Sequence, residues 1–281
     1  MIVEYNKEGS LVCKVDSYPP ATITWYKDGA EVSEDSNIVI SSDKSILTIK
    51  YMQVDLQGKY TCEARNDFDR KVFIATVAII GVEKPVIDKS NEEVHVIENT
   101  NAALSCRILK GIPKPSISWS FQPAGEDTFK VMVETSETIY VNNVGRDRSG
   151  LYKCSAQNVL GSDSFTTELV VEYPPKIKED LDNISKQDGE EVRISCDVTG
   201  VPVPAVKWLL NDTELVSSAK TRISSDHSLN FKVTPADMGY YTCEAQNKHG
   251  LVKKPVFLNV LEIPAIDKSN KEINVKQKTN V

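Results

Sequence analysis

Six cysteines divide the 281-residue chain into three similar segments. They are Cys13, Cys62, Cys106, Cys154, Cys196 and Cys243, and the spacing within successive pairs is 49, 48 and 47 residues. Between the members of each pair lies one tryptophan, twelve or thirteen residues after the first cysteine, and the chain has no other tryptophan. Self-similarity with a period of about ninety residues indicates repeated folding units. We therefore predict three tandem domains.

The same short motifs surround the cysteines in each segment. A glycine and a tyrosine precede the second cysteine as G-x-Y-x-C, and an alanine and an asparagine follow it as C-x-A-x-N. A proline-containing run precedes each tryptophan, and because proline cannot donate to a strand ladder, these runs are predicted to be loops. The tryptophans and tyrosines concerned are Trp25, Trp119, Trp208, Tyr60, Tyr152 and Tyr241.

Together, G-x-P-x-P-x-[I/V]-x-W, G-x-Y-x-C and C-x-A-x-N-x-x-G resemble the I-set branch of the immunoglobulin superfamily over almost the whole chain. The first segment departs from the pattern, with Asp69 where the others have Gly161 and Gly250. The resemblance implies an all-β fold of three tandem I-set immunoglobulin-like β-sandwiches. In such sandwiches the tryptophan packs on an inter-sheet disulfide, and the tyrosine returns its hydroxyl to the backbone as a tyrosine corner. Alternation of apolar and polar residues independently supports strands, as at Leu229, Phe231 and Val233.

The resemblance also implies a disulfide within each cysteine pair. The alternative is that the cysteines are buried free thiols, since unpaired cysteine is among the most buried residue types. All three segments keep both members, which favours disulfides, and each bridge would contribute about 4 kcal/mol in the chain-entropy model. Disulfides imply an oxidising compartment, and hence an extracellular location. Two N-x-S/T sequons, at Asn183 and Asn211, are candidate glycosylation sites.

Prolines mark the predicted domain boundaries. The domains are 1–82, 83–173 and 174–262, and residues 263–281 begin a fourth, truncated immunoglobulin-like domain. Only twelve residues precede Cys13, so we expect the first domain to lack its A strand. Connectors of two to four residues with prolines leave little rotational freedom, which predicts an extended rod. The tail 265–281 is expected to add as a strand to a neighbouring molecule or to extend beyond the third domain, the alternative being a loosely held terminus.

Composition excludes several classes of function. The formal net charge is −7, and no cluster of lysine and arginine in the sequence suggests a nucleic-acid partner. No apolar stretch is long enough to insert this fragment into a membrane. The three histidines are not spaced with acids or cysteines as a metal or catalytic site requires. We therefore expect no enzyme activity, no catalytic residues, no metal and no cofactor.

Two features of the strands suggest candidate sites. Because the tryptophans point inward, Tyr26 and Leu209 are expected on the outer face of the C-F-G sheet, where immunoglobulin modules often bind. In the third domain, Arg222 and Asp237 are expected to form a salt bridge, which the first domain replaces with the apolar pair Val39 and Leu56. Independent surface drift is the alternative explanation of that difference.

The function implied by the resemblance is that of an extracellular binding and spacing module of a cell-adhesion or extracellular-matrix protein. Among families the chain most resembles hemicentin-type arrays. The alternatives are a cell-surface receptor ectodomain and an intracellular sarcomeric I-set scaffold of the titin or obscurin kind. The expected partners are proteins, and the sequence leaves open homophilic or heterophilic binding and the oligomeric state.

Overall fold

A computed structural model describes residues 1–178 and 182–262. The predicted fourth segment and its strand addition lie outside the described residues. Contacts between Cα atoms divide the described residues into two compact units, one of residues 1–94, 101–142 and 147–169, and one of 95–100, 143–146 and the described residues from Val170 onward. The boundaries 82/83 and 173/174, and the rod, stay predictions. Within the described residues the regular structure is all strand apart from three short 3-10 helices, Val54–Leu56, Arg146–Arg148 and Pro235–Asp237.

The first cysteine pair lies in a sandwich of two sheets. Its strands are β1 (Ile2–Glu4), β2 (Gly9–Val12), β3 (Thr22–Lys27), β4 (Ala30–Glu31), β5 (Ile38–Ile40), β6 (Ile46–Ile49), β7 (Gly58–Arg65) and β8 (Arg70–Ile80). One sheet has the order β1-β8-β7-β3-β4 and the other β2-β6-β5. The first strand pairs in parallel with β8, at Ile2 opposite Ala78, and the remaining pairs are antiparallel.

The second cysteine pair lies among strands β9 to β17. They are β9 (Glu83–Ile87), β10 (Glu93–Ile97), β11 (Ala102–Ser105), β12 (Ile108–Ile112), β13 (Ser116–Pro123), β14 (Lys130–Val131), β15 (Thr138–Val141), β16 (Gly150–Asn158) and β17 (Gly161–Ile177). The large sheet has the order β10-β17-β16-β13-β14, while β11 pairs with β15 and β9 with β12.

The third cysteine pair repeats the arrangement of the first. Its strands are β18 (Ile184–Gln187), β19 (Glu191–Ile194), β20 (Val198–Val201), β21 (Ala205–Leu210), β22 (Thr213–Leu215), β23 (Thr221–Ile223), β24 (Leu229–Lys232), β25 (Gly239–Asn247) and β26 (Gly250–Leu261). The two sheets have the orders β18-β26-β25-β21-β22 and β19-β24-β23, and β20 pairs with β17. The predicted all-β fold of tandem immunoglobulin-like sandwiches is confirmed.

The cysteines and tryptophans form the centre of each sandwich. Disulfides join Cys13 to Cys62, Cys106 to Cys154 and Cys196 to Cys243, with Cα–Cα separations of 6.3, 5.9 and 6.3 Å. All three tryptophans are buried. Each indole Nε1 donates to a backbone carbonyl, Trp25 to Lys44 at 2.8 Å, Trp119 to Ser136 at 2.9 Å and Trp208 to His227 at 2.8 Å. The indole thus buries its rings and still satisfies its polar atom.

Each predicted tyrosine also makes the same bond. The hydroxyls of Tyr60, Tyr152 and Tyr241 donate to carbonyls four residues earlier, at 2.9, 3.1 and 3.0 Å. Burial raises the pKa of Tyr60 and of Tyr152 to about 12, and raises the pKa of Tyr241 further in the same direction, because the charged phenolate would lose its water. As neutral donors, the tyrosines therefore hold the 3-10 helix that precedes their strand against the sandwich.

The motif asparagines, which follow the second cysteine of each pair, form hydrogen bonds to the proline loops. Asn66, Asn158 and Asn247 donate from Nδ2 to the carbonyls of Pro19, Pro113 and Pro202, at 3.0, 3.0 and 2.9 Å. Close packing explains one motif glycine as well: Gly150 has φ +147°, and a Cβ there would lie 2.2 Å from the Gln122 carbonyl oxygen. The motifs thus encode backbone contacts that hold the loops on the sheets.

Candidate functional site

The candidate site is the outer face of the first sandwich, on the sheet that contains β3, β7 and β8. Strand pairing places its residues in two rows across the three strands. The rows are Tyr26, Thr61, Ile74 and Thr24, Glu63, Val72. Side chains directly opposite one another in a sheet share a face, so these six residues form one surface. We call this surface the first outer face.

Strand β8 gives the first outer face its apolar character. The strand is rich in β-branched residues, which favour extended structure. Its inward residue Val77 is buried, whereas Val72 and Ile74 point the other way and are 51% and 57% exposed. Tyr26 is half-buried in the same row as Ile74, with Thr61 between them, and it lies on the outer face as expected from the inward direction of Trp25. Val72 and Ile74 lie two residues apart on one face of the strand and together form a small exposed apolar patch.

An ion pair borders this patch. Arg70 Nη2 lies 2.6 Å from Glu63 Oε2, and the guanidinium lowers the pKa of the Glu63 carboxyl. Glu63 stays largely covered while Arg70 is exposed. An apolar centre with a charged rim is the arrangement found at many protein–protein interfaces.

The corresponding face of the second sandwich is polar. Register places Ser118, Ser155 and Ser164 in one row, and Ser120, Lys153 and Thr166 in the next. The same fold therefore carries small hydroxyl side chains where the first sandwich carries aliphatic ones. The apolar patch is a property of the first segment's sequence and not a requirement of the fold.

The third sandwich carries a network of ion pairs at this place. Glu244 is buried and accepts Lys207 at 2.8 Å and Lys253 at 2.6 Å, and these hydrogen bonds lower its pKa. Lys207 also lies 3.8 Å from Glu214.

The expectation that Leu209 is an exposed contact residue is therefore wrong. Leu209 is only 7% exposed. It lies two residues from Lys207 on one strand and opposite Glu214 and Thr242 on the strands to either side, so its neighbours in register include members of this network. Aliphatic stems of charged residues can cover apolar surface in this way while keeping their ends in water. Tyr26 remains the candidate of the two.

The prediction of an ion pair between Arg222 and Asp237 is also wrong, because Asp237 pairs with Lys220. Lys220 Nζ lies 2.6 Å from Asp237 Oδ1 and 3.1 Å from Thr234 Oγ1. The reason is the antiparallel register, which sets Arg222 opposite Asn230. Arg222 is therefore two residues farther than Lys220 from the end of β24, the end after which Asp237 follows. In the first sandwich Leu56 packs against the core, whereas Val39 is exposed. The apolar replacement pair of Val39 and Leu56 stays a prediction.

A second charged cluster was missed in the sequence because its members are far apart there. Within the second compact unit, the buried carboxylate of Glu172 accepts Lys248 at 2.7 Å, His249 Nε2 at 2.8 Å and His95 Nδ1 at 3.0 Å. Chiefly the hydrogen bond from Lys248, and then that from His249, lower the pKa of Glu172 to about 2. The cluster holds one carboxylate charged and fully partnered. Residues that are about 77 positions apart in sequence offered no local spacing signal.

The two sequon asparagines are exposed. Each uses Oδ1 as an acceptor, Asn183 from the Phe257 amide and Asn211 from the Tyr240 amide, both at 3.0 Å. Their glycosylation stays a prediction. Among residues 1–178 and 182–262, no group of three or more histidine, cysteine or acidic side chains is arranged to hold a metal ion. In the same residues no helix is long and apolar enough to cross a membrane.

Comparison with known proteins finds immunoglobulin domains in all three segments. Residues 175–260 match the family model described as immunoglobulin I-set domain, and residues 1–66 and 84–158 match the model described as immunoglobulin domain. Human hemicentin-1 is 31% identical over 266 residues, which cover 94% of this chain and 5% of hemicentin-1. Human Roundabout homolog 1 is 28% identical over 277 residues, with 94% and 17% covered.

A solved structure of three titin immunoglobulin domains, an E-to-A variant, is similar in fold. It has 25% sequence identity and a TM-score of 0.51, and the match covers 92% of this chain and 95% of the titin fragment. The chain spans only a small part of the length of the hemicentin and Roundabout relatives.

Proposed function

Because the chain belongs to the immunoglobulin family, we propose that it is an extracellular protein-binding and spacing module of a cell-adhesion or extracellular-matrix protein. Membership of this family makes it a non-enzymatic protein, so its function lies in contacts made by its surface. The fold supplies rigid sandwiches, and differences between equivalent faces decide which of them binds.

The proposal rests on the exposed apolar residues of the first outer face. Of the three equivalent faces, one is polar and one is covered by ion pairs, while the first exposes Val72 and Ile74 and carries Tyr26 in the same row as Ile74. Burying an exposed aliphatic side chain contributes about 1.5–3 kcal/mol, so two of them with a tyrosine can form the centre of an interface. The rim pair of Glu63 and Arg70 would then favour one orientation of the partner.

The disulfides support the extracellular location. Three bridges of this kind persist in oxidising compartments and are rare in the cytosol. An intracellular scaffold of the titin kind does not need them. The relatedness to hemicentin-1 over 94% of the chain supports the matrix or adhesion assignment.

The experiment is a binding screen with two matched variants. Val72→Glu/Ile74→Glu places two charges on the first outer face, and Ser164→Glu/Thr166→Glu places the same charges on the equivalent face of the second sandwich. Dimerised wild-type chain and both variants are applied to an array of extracellular ectodomains that includes the chain itself. Circular dichroism serves as the control that both variants are folded.

We expect a partner that binds wild type and the second-sandwich variant with equal affinity. Its affinity for the Val72→Glu/Ile74→Glu variant should be at least about tenfold lower, because burying a charge in the interface is costly. Binding of the chain to itself would identify the contact as homophilic. Partners that bind both variants as well as wild type would refute the assignment of this face.

A further inference from the structure

Four cations gather on the outward side of the three-stranded sheet β19-β24-β23 in the third sandwich. They are Arg193, Lys220, Arg222 and Lys232, and all four are exposed. The inward residues of the same strands, such as Val192 and Phe231, are buried, so alternation sends the charged side chains to solvent. Register aligns Arg193 and Arg222 on either side of Asn230. We call this row the cationic row.

Two of the four charges have partners and two do not. Arg193 pairs with Asp226 at 2.6 Å, and Lys220 pairs with Asp237 at 2.6 Å. Within residues 1–178 and 182–262, neither Arg222 nor Lys232 makes an ion pair. Glu191 lies opposite Lys232 in register without closing such a pair. The face therefore carries excess positive charge on a chain whose formal net charge is −7.

The fold does not require these cations. In the first sandwich the equivalent row is Ser10, Thr48 and Val39, with the two hydroxyl oxygens 3.0 Å apart. In the second sandwich Ala103 lies opposite Tyr140 on the corresponding pair of strands. Uncharged residues thus fill the position of Arg193 in both sandwiches and that of Arg222 in the first, whereas Lys50 of the first sandwich corresponds to Lys232. The pair of arginines therefore belongs to the third segment alone.

We propose that the cationic row binds a sulfated polysaccharide chain. Neighbouring strands are about 4.8 Å apart, so the two arginines stand about 10 Å apart with an amide between them, a spacing that suits a polymer with repeated anionic groups. Guanidinium groups bind sulfate and carboxylate oxygens in pairs. The sheet face is open, so an extended chain can lie across it. This inference rests on the proposed extracellular location but not on the first outer face.

Isothermal titration with a size-defined heparin oligosaccharide, between about 50 and 200 mM NaCl, tests the proposal. The test variant is Arg222→Gln/Lys232→Gln. The control is Lys14→Gln/Lys114→Gln, which removes the same charge from exposed positions in the first two segments. We expect the test variant to raise Kd at least about tenfold at low salt. By analogy with DNA, the salt slope should fall by about 0.9 for each lost contact, and the control should do neither.

Three results would overturn the proposal. They are absence of binding by wild type at about 50 mM NaCl, equal losses in the test and control variants, and equal competition by a polyglutamate peptide, which would make the ligand an acidic protein segment. The variant Val72→Glu/Ile74→Glu should bind heparin as wild type does. This comparison separates failure of the cationic row from failure of the protein-binding face.

Discussion

Replacing Tyr241 by phenylalanine removes one hydrogen bond and little else. The ring keeps its packing against Phe231, with centroids 5.4 Å apart, while the 3.0 Å bond from the hydroxyl to the Asp237 carbonyl is lost. A net intramolecular hydrogen bond contributes about 1 kcal/mol, and Asp237 is only half-buried, so water can reach the freed carbonyl. We therefore expect a loss of about 1 kcal/mol, or about 4–8 °C in Tm for a domain of this size.

The adjacent Tyr240 is the matched control, because its side chain is exposed and points to the other face of the strand. Urea unfolding of the intact chain, followed by hydrogen–deuterium exchange of peptides covering Gly239–Asn247, reports on the third sandwich by itself. Tyr240→Phe should change the unfolding free energy by less than about 0.5 kcal/mol. If the two substitutions have equal effects, the corner bond does not stabilise the sandwich.

Alkaline pH provides a second readout of the same bond. Burial raises the pKa of Tyr241 above the ordinary value of about 10. The stability gained by keeping the phenol neutral is complete below about pH 10 and is lost as pH rises toward the raised folded value. Tyr241→Phe has no proton to lose there, so its deficit relative to wild type should shrink above about pH 10.

Three further contacts are tested by substitution. Glu172→Gln should lower Tm at pH 7, and because the folded pKa is about 2 against the ordinary 4.5, the difference from wild type should persist above about pH 4.5 and vanish as pH falls toward 2. Lys220→Met should cost about 0.5–1 kcal/mol in urea unfolding, whereas Arg222→Met should cost almost nothing, since Asp237 pairs with the lysine. Gly150→Ala should cost about 1–3 kcal/mol by calorimetry, because the added carbon meets backbone that cannot move aside.

The repeated framework could be predicted because it is encoded in spacing. A cysteine, a tryptophan and a tyrosine recur at fixed intervals, and each makes the same contact in every sandwich. The outward direction of Tyr26 followed from the inward direction of Trp25 by simple alternation. These inferences need only the period of a strand and a recurring motif.

The errors arose where contacts depend on which strands are neighbours. Leu209 alternates outward as expected, but it is buried, and its neighbours in register, such as Glu214, come from other strands. Lys220 takes the place expected of Arg222 because register, which the sequence does not state, moves the closest approach by two residues. The cationic row is equally hidden, since its members come from three strands.

We propose that sandwiches held by disulfides present the binding surfaces outside the cell. Mass spectrometry of the natural protein, alkylated with iodoacetamide under denaturing conditions before and after reduction, tests it most directly. We expect the six cysteines to take up no alkylating groups before reduction and six after it. Six alkylated cysteines before reduction would refute the disulfides and the extracellular location, and would favour an intracellular scaffold.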